Sequence, residues 1–216
     1  MMVSYNIVAS GSKGNAVVVN GNILIDCGVS FKALKEVYKE LQLVCLTHIH
    51  ADHFRVSTIR KLAQERPTLR WATPKWLVND LLGCGVSKQN IDVFIPNLYL
   101  KYGEQLAVVM KKIPHNVPNA AWIIFGDFGS VLYATDTNDI SGITSKGLDL
   151  YLIEANYTES EIADRIKQKE ELGEYCYEYD VIDNHLSQEK ASAWLMDNMK
   201  ENSSYVFLHQ HEEKTA

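Results

Sequence analysis

The stretch Thr47-His48-Ile49-His50-Ala51-Asp52-His53 places three imidazoles and a carboxylate within six residues, directly after the apolar run 43–46. Successive side chains of an extended segment point to opposite sides, so His48 and His50 project together while Asp52 and His53 can turn elsewhere. One segment can then feed two neighbouring metal positions. An exposed polar loop is the plain alternative, but three histidines rarely crowd in this way without a ligand. The chain has seven histidines, at 48, 50, 53, 115, 185, 209 and 211, and none before 185 falls in a segment that reads as an ordinary helix. Imidazole is a borderline ligand for Zn, Fe, Mn, Ni or Cu, and carboxylate adds a harder oxygen. The set suits a two-metal hydrolytic centre, with zinc the default and manganese or iron the rivals.

At 216 residues, 46% hydrophobic and 22% charged, the chain has the composition of a single globular domain, 1–216, with a sizeable core. No apolar run approaches the ~18 residues a membrane span requires. The start, Met1-Met2-Val3-Ser4-Tyr5, lacks a basic region followed by a long apolar one, so the expected location is cytoplasmic, with no membrane partner. Cys27, Cys45, Cys84 and Cys176 form no C-x-x-C pair and read as free thiols. With 21 Lys and Arg against 27 Asp and Glu, the net charge of -6 supplies no global field for nucleic acid. A polyanion would have to be captured locally, by bound metal for instance.

The β-branched runs 5–9, 16–20 and 22–26 read as strands, the last two joined by the hairpin signal Asn20-Gly21. Ser30 is expected to cap a helix carrying Phe31, Leu34, Val37, Tyr38 and Leu41 at helical spacing, followed by strand 43–46. A helix at 56–65 stopped by Pro67, a strand at 69–72 and a helix at 74–82 ended by Gly83 continue as βαβ units. Four or five strands follow between 91 and 133, then a strand at 148–153, helices at 159–171 and 187–199, and a strand at 204–208. The pattern implies an α/β fold, a four-layer αββα sandwich of two mixed β-sheets flanked by helices. No Pro-, Gly- or Ser-rich linker divides it.

The unbroken H-x-H-x-D-H formed by His48, His50, Asp52 and His53 resembles the hallmark of the metallo-β-lactamase superfamily. The resemblance spans nearly the whole chain, because the later ligands expected of that family follow in order. They are His115 in Ile113-Pro114-His115-Asn116, Asp136 in Thr135-Asp136-Thr137, and His209 after the apolar run that ends the last strand. His211 would lie on the same face of a continuing strand and competes with His209, although position favours His209. By resemblance, His48, His50 and His115 would hold one divalent ion, Asp52, His53 and His209 the other, and Asp136 would bridge. The nucleophile would be a metal-bridging hydroxide.

Ser10-Gly11-Ser12-Lys13-Gly14-Asn15 followed by Ile25-Asp26-Cys27-Gly28 looks like the opening of the YycJ/WalJ-like branch. Asn184-His185-Leu186-Ser187 and Glu154-Ala155-Asn156-Tyr157 are similar to segments of tRNase Z. That similarity gives His185 the role of proton donor to the leaving oxygen and Glu154 the role of orienting it, and with Asp52 these are the expected catalytic residues. Imidazole chemistry is consistent with such a donor, since the ring titrates near neutral pH.

The implied activity is metal-dependent hydrolysis, of a phosphodiester in DNA or RNA first and of a small thioester, lactone or other ester second. No obligate protein partner is implied. The 49 residues from Asp136 to His185 leave no room for the large β-CASP insertion of some nucleic-acid-processing relatives. No long tRNA-gripping arm is visible either, which disfavours mature-tRNA processing. His at position 50 also departs from the flavo-diiron branch, which carries Glu there. The tyrosine-rich acidic stretch 174–180 could stack against substrate or form an amphipathic edge.

Overall fold

The computed structural model describes residues 3–210. β1 (Tyr5–Ala9), β2 (Ala16–Val19) and β3 (Ile23–Ile25) form an antiparallel meander. Asn20 and Gly21 both take positive φ, 51° and 71°, a turn these two residues tolerate at least cost. The register pairs Val19 with Ile23, so three residues span the turn instead of the two that Asn-Gly suggests. The third, Asn22, is drawn toward the next strand, where its carbonyl accepts from Gln42 N at 2.8 Å. β4 (Leu43–Cys45), β5 (Arg70–Pro74) and β6 (Ile91–Phe94) then add in parallel, completing the order β1-β2-β3-β4-β5-β6. Their crossovers run through α1 (Val56–Glu65) and α2 (Val78–Gly83).

The second sheet is built from β7 (Tyr99–Tyr102), β8 (Leu106–Ile113), β9 (Asn119–Gly126), β10 (Gly129–Ala134), β11 (Leu150–Glu154) and β12 (Ser204–Leu208). Its order is β12-β11-β10-β9-β8-β7. Between β11 and β12 run α3 (Glu159–Leu172), α4 (Glu178–Asn184) and α5 (Gln188–Asn198). Thr158 caps α3 by accepting from Glu161 N, and Ser187 caps α5 by accepting from Lys190 N.

Period-two alternation sorts each strand between two cores. Val17, Val19, Ile23 and Ile25 meet Val108, Met110, Trp122 and Leu152 between the sheets. Val18, Leu24, Val44 and Trp71 face outward onto Ile59 and Leu62 of α1 and Leu81 of α2. Ile123, Leu132, Tyr151 and Ile153 cover the other outer face with Ala191 and Leu195 of α5. The layers are thus αββα, as the pattern implied. Each fully buried Leu or Ile contributes about 1.5–3 kcal/mol. Trp122 Nε1 also donates across the sandwich to Leu46 O at 3.2 Å.

Three local expectations change. The segment after Ser30 makes only a 3-10 turn, Phe31–Leu34, followed by further turns: Ser30 offers no side-chain cap, and most of the bonds close three residues back. The helix expected from Pro74 starts later, because Pro74 ends β5 and a 3-10 turn, Lys75–Leu77, precedes α2. α4 occupies a stretch with no helix expectation. No helix among the described residues is long and apolar enough to cross a membrane. The four cysteines are free.

Candidate metal centre

β8 and β10 both run antiparallel to β9, and β10, β11 and β12 run parallel. Four strands of the second sheet therefore end at one edge, and His115, Asp136, Glu154 and His209 stand at or just beyond those ends. The histidine-rich loop follows the end of β4 and reaches the same place. Carboxyl ends of strands are where such sheets leave room for a ligand.

The ligand atoms of His48, His50 and His115 lie within 4.8 Å of one another. His48 Nε2 is 3.1 Å from His50 Nδ1, which is 3.3 Å from His115 Nε2. A second group joins Asp52, His53 and His209, and Asp136 lies between the two. Asp136 Oδ2 is 2.8 Å from His53 Nε2, and Oδ1 is 3.5 Å from His209 Nε2. All seven residues expected as ligands are therefore brought to one centre. His211, the rival terminal ligand, lies outside the described residues.

Asp26, which the sequence reading did not single out, organises both groups. Buried at 0% exposure, it accepts from His53 Nδ1 at 2.6 Å, from Thr47 N and Oγ1 at 2.9 Å, and from Tyr133 Oη at 3.2 Å. Thr47 Oγ1, having given its proton to Asp26, can only accept from His48 Nδ1, 2.9 Å away. Both rings thus hold a proton on Nδ1 and turn Nε2 to the centre as the atom that can ligate, the arrangement that a buried partner gives a metal-ligating histidine. Asn15 Nδ2 approaches His53 Nε2 at 2.8 Å and Asp52 Oδ2 at 3.3 Å, and Ser10 Oγ accepts from His209 N at 2.8 Å. Asn119 Nδ2 donates to Asp136 O at 2.7 Å, and Asn156 Nδ2 to His209 O at 2.8 Å.

The backbone is forced where these groups sit. Asp26, Asp136 and His209 have φ of 60°, 55° and 54°, a region that non-glycine residues enter rarely. A Cβ on Gly28 would lie 1.6 Å from Asp52 O, so only glycine lets this segment pass beneath the histidine loop.

The electrostatics fit a cation. Burial, reinforced by His53, pushes His48 down to about 2, so its ring is neutral. Burial works against charge at His53 and His209 too, but Asp136 and Asp26 hold His53 well above the ordinary imidazole range. Asp136, with Asp52 and Glu154, lifts His209 to about 10. Asp136 in turn is held well below the carboxylate range, as His53 and His209 overcome its burial. Asp136 Oδ2 and His209 Nε2 are buried without a properly aligned hydrogen bond. Such atoms are costly to leave unmet, and a divalent ion replacing the protons on the two histidines would satisfy them.

Glu154, 0% exposed, accepts from Thr137 N at 2.8 Å through Oε2 and meets His185 Nδ1 at 2.6 Å through Oε1. His185 is part of the wall of a cleft of about 300 Å³, floored by His50, Asp52, His115, Asp136 and His209. Its ring stacks on His209, with centroids 5.1 Å apart and planes at 18°. The expected catalytic residues Asp52, Glu154 and His185 therefore meet at the ligand cluster. Asp26, Thr47, Asn15 and Asn156 were missed. The sequence signals for Asp26 were its place directly after the apolar run that ends at Ile25 and its presence in the Ile25-Asp26-Cys27-Gly28 segment.

Residues 21–209 match the family model described as the beta-lactamase superfamily domain. The chain is 27% identical to the ribonuclease Z of Clostridium novyi (strain NT) over 125 residues, an alignment taking in 46% of this chain and 40% of that protein. It therefore spans less than half the length of that relative. Among solved structures, it is similar to YhfI, a metallo-beta-lactamase fold protein from Bacillus subtilis. There the TM-score is 0.72 at 16% identity, covering 96% of this chain and 86% of the other. It is also similar to the short form of human tRNase Z, with a TM-score of 0.69 at 14% identity, covering 96% and 92%. At these identities the structural likenesses show a shared fold.

Proposed function

The chain belongs to the metallo-β-lactamase superfamily, and on that premise we propose that it is a metal-dependent phosphodiesterase acting on nucleic acid, DNA or RNA. His48, His50 and His115 would hold one divalent ion and Asp52, His53 and His209 a second, with Asp136 shared between them. Zinc suits this donor set first, with manganese or iron as rivals. Bound ions of this kind supply Lewis acidity and lower the pKa of water into the neutral range.

The observation that carries the reading is the Glu154–His185 pair, 2.6 Å apart at the edge of the ligand cluster. Glu154 pairs with the proton on His185 Nδ1, and in the imidazolium form the second proton, on Nε2, is the one delivered to the leaving oxygen of a diester. Asp52 lines the cleft beside the ligand histidines and takes up the proton of the attacking water. Ser10 and Asn15 brace His209, Asp52 and His53, which gives weight to the Ser10-to-Asn15 motif and so to placement in the YycJ/WalJ-like branch.

A second reading, hydrolysis of a small thioester, lactone or other ester, is favoured by the cleft volume of about 300 Å³, enough for one small ligand. Metal-loaded protein offered bis(p-nitrophenyl) phosphate and a small thioester side by side separates the two. Diester turnover is expected, and thioester turnover without it would select the second reading.

A further inference from the structure

The tyrosine-rich acidic stretch 174–180 has no part in the steps above. In the fold it leads into α4, and Tyr177, Asp180, Val181 and Asn184 all line the cleft beside His185. Their i, i+3, i+4, i+7 spacing is one helical face, so α4 turns a complete face toward the metal-binding residues.

That face is held in place from behind. Lys169 of α3 sits with Nζ 3.7 Å from the centroid of the Tyr177 ring and pairs at 2.8 Å with Glu178, which is 1% exposed. One face of the ring thus carries a cation, yet Tyr177 remains 41% exposed, which leaves ring surface at the cleft for another flat group. Tyr175 Oη donates to Asp180 Oδ2 at 3.1 Å, and Asn184 Nδ2 donates to Asp180 O at 2.8 Å. Asp180 is left with acceptor oxygen alone, while Asn184 keeps its amide oxygen and one N–H. The Asp180 carboxylate beside an aromatic ring repels a second phosphate and matches a flat ring bearing N–H donors.

Resting on the phosphodiesterase reading, we propose that this face of α4 is a nucleobase subsite beside the scissile phosphate. Tyr177 stacks the base, and Asp180 accepts from its amino and ring N–H groups. The subsite favours guanine, whose adjacent N1–H and N2 amino donors suit the two oxygens of a carboxylate, over uracil, which has a single N–H. The cleft of about 300 Å³ is of a size for one nucleotide unit.

Calorimetric titration of the metal-loaded full chain with guanosine 5′-monophosphate and with uridine 5′-monophosphate tests this without requiring turnover. The guanosine nucleotide is expected to bind about tenfold more tightly. Tyr177→Ala weakens both by about tenfold while Tyr177→Phe binds as the parent does, since the stacking surface is retained. Asp180→Asn brings the two nucleotides to within about twofold, by removing the paired acceptor. Equal binding of the two nucleotides by the parent protein, or a guanosine preference that survives Asp180→Asn, overturns the proposal. Bis(p-nitrophenyl) phosphate has no base, so failure to hydrolyse it counts against the phosphodiesterase reading, while the binding ratio reports on α4 alone.

Discussion

Asp26 touches no position where a substrate could sit, yet through His53 directly and through Thr47 to His48 it sets which nitrogen each ring presents. Asp26→Asn keeps the shape but sets an N–H against a ring N–H, and favours the tautomer whose Nε2 cannot ligate. Metal affinity is expected to fall about 10- to 100-fold, measured by competition with a chromophoric chelator. Unchanged affinity would remove Asp26 from the account. His185 is the opposite case, lying close to the cluster yet assigned to proton transfer. Since Asp136, Glu154, His185 and His209 also lie within 4.8 Å of one another, His185 is placed where a ligand could be. His185→Ala is expected to retain full metal content by atomic emission while turnover drops about 100-fold or more. Loss of metal in that variant would make His185 a ligand instead.

Strand ends and the loops leaving them deliver all seven candidate ligands, and Gly28 shows how tightly those loops are stacked. Cys27 N donates to His53 O at 2.8 Å and Asn15 N to Asp52 O at 2.6 Å, so the histidine loop is tied to segments on both sides of Gly28. Gly28→Ala must lift the loop, at a cost of about 1–3 kcal/mol by denaturant melting, with weakened metal binding. Full stability and full metal content in that variant would show the loop to be more yielding than this packing allows. At the same scale, the strands and α1, α3 and α5 were legible in the sequence, because their apolar faces repeat at the period of the element. α4 was not. Tyr177, Asp180 and Asn184 face the cleft instead of a core, so the helix carries no apolar stripe to read. The segment after Ser30 misled for the converse reason: Leu34 and Leu41 are buried at helical spacing, but by successive tight turns.

Across the whole molecule, two sheets that are buried on both faces bring residues as distant as Asp26 and His209 to one edge of the sandwich. His48, His50, Asp52 and His53 were readable because their spacing is local. His115, Asp136 and His209 had only their order after apolar runs and a family resemblance to mark them, and Asp26 and Asn15 act through contacts that no linear pattern displays. Because a bound ion stabilises only the folded centre, chelation should destabilise the whole domain. At metal concentrations about 100 times Kd the loss is about 2.7 kcal/mol, or roughly 5–10 °C in Tm for a chain of this size. A melting curve indifferent to chelator would mean that the cluster holds no ion. Metal-dependent phosphodiester hydrolysis at this centre is tested most directly by cleavage of end-labelled single-stranded DNA and RNA by protein loaded separately with zinc and with manganese, with Asp52→Ala as the matched control. Metal-dependent cleavage of at least one strand type, abolished by Asp52→Ala, is expected. Intact strands in the presence of confirmed bound metal, or equal cleavage by Asp52→Ala, would contradict it.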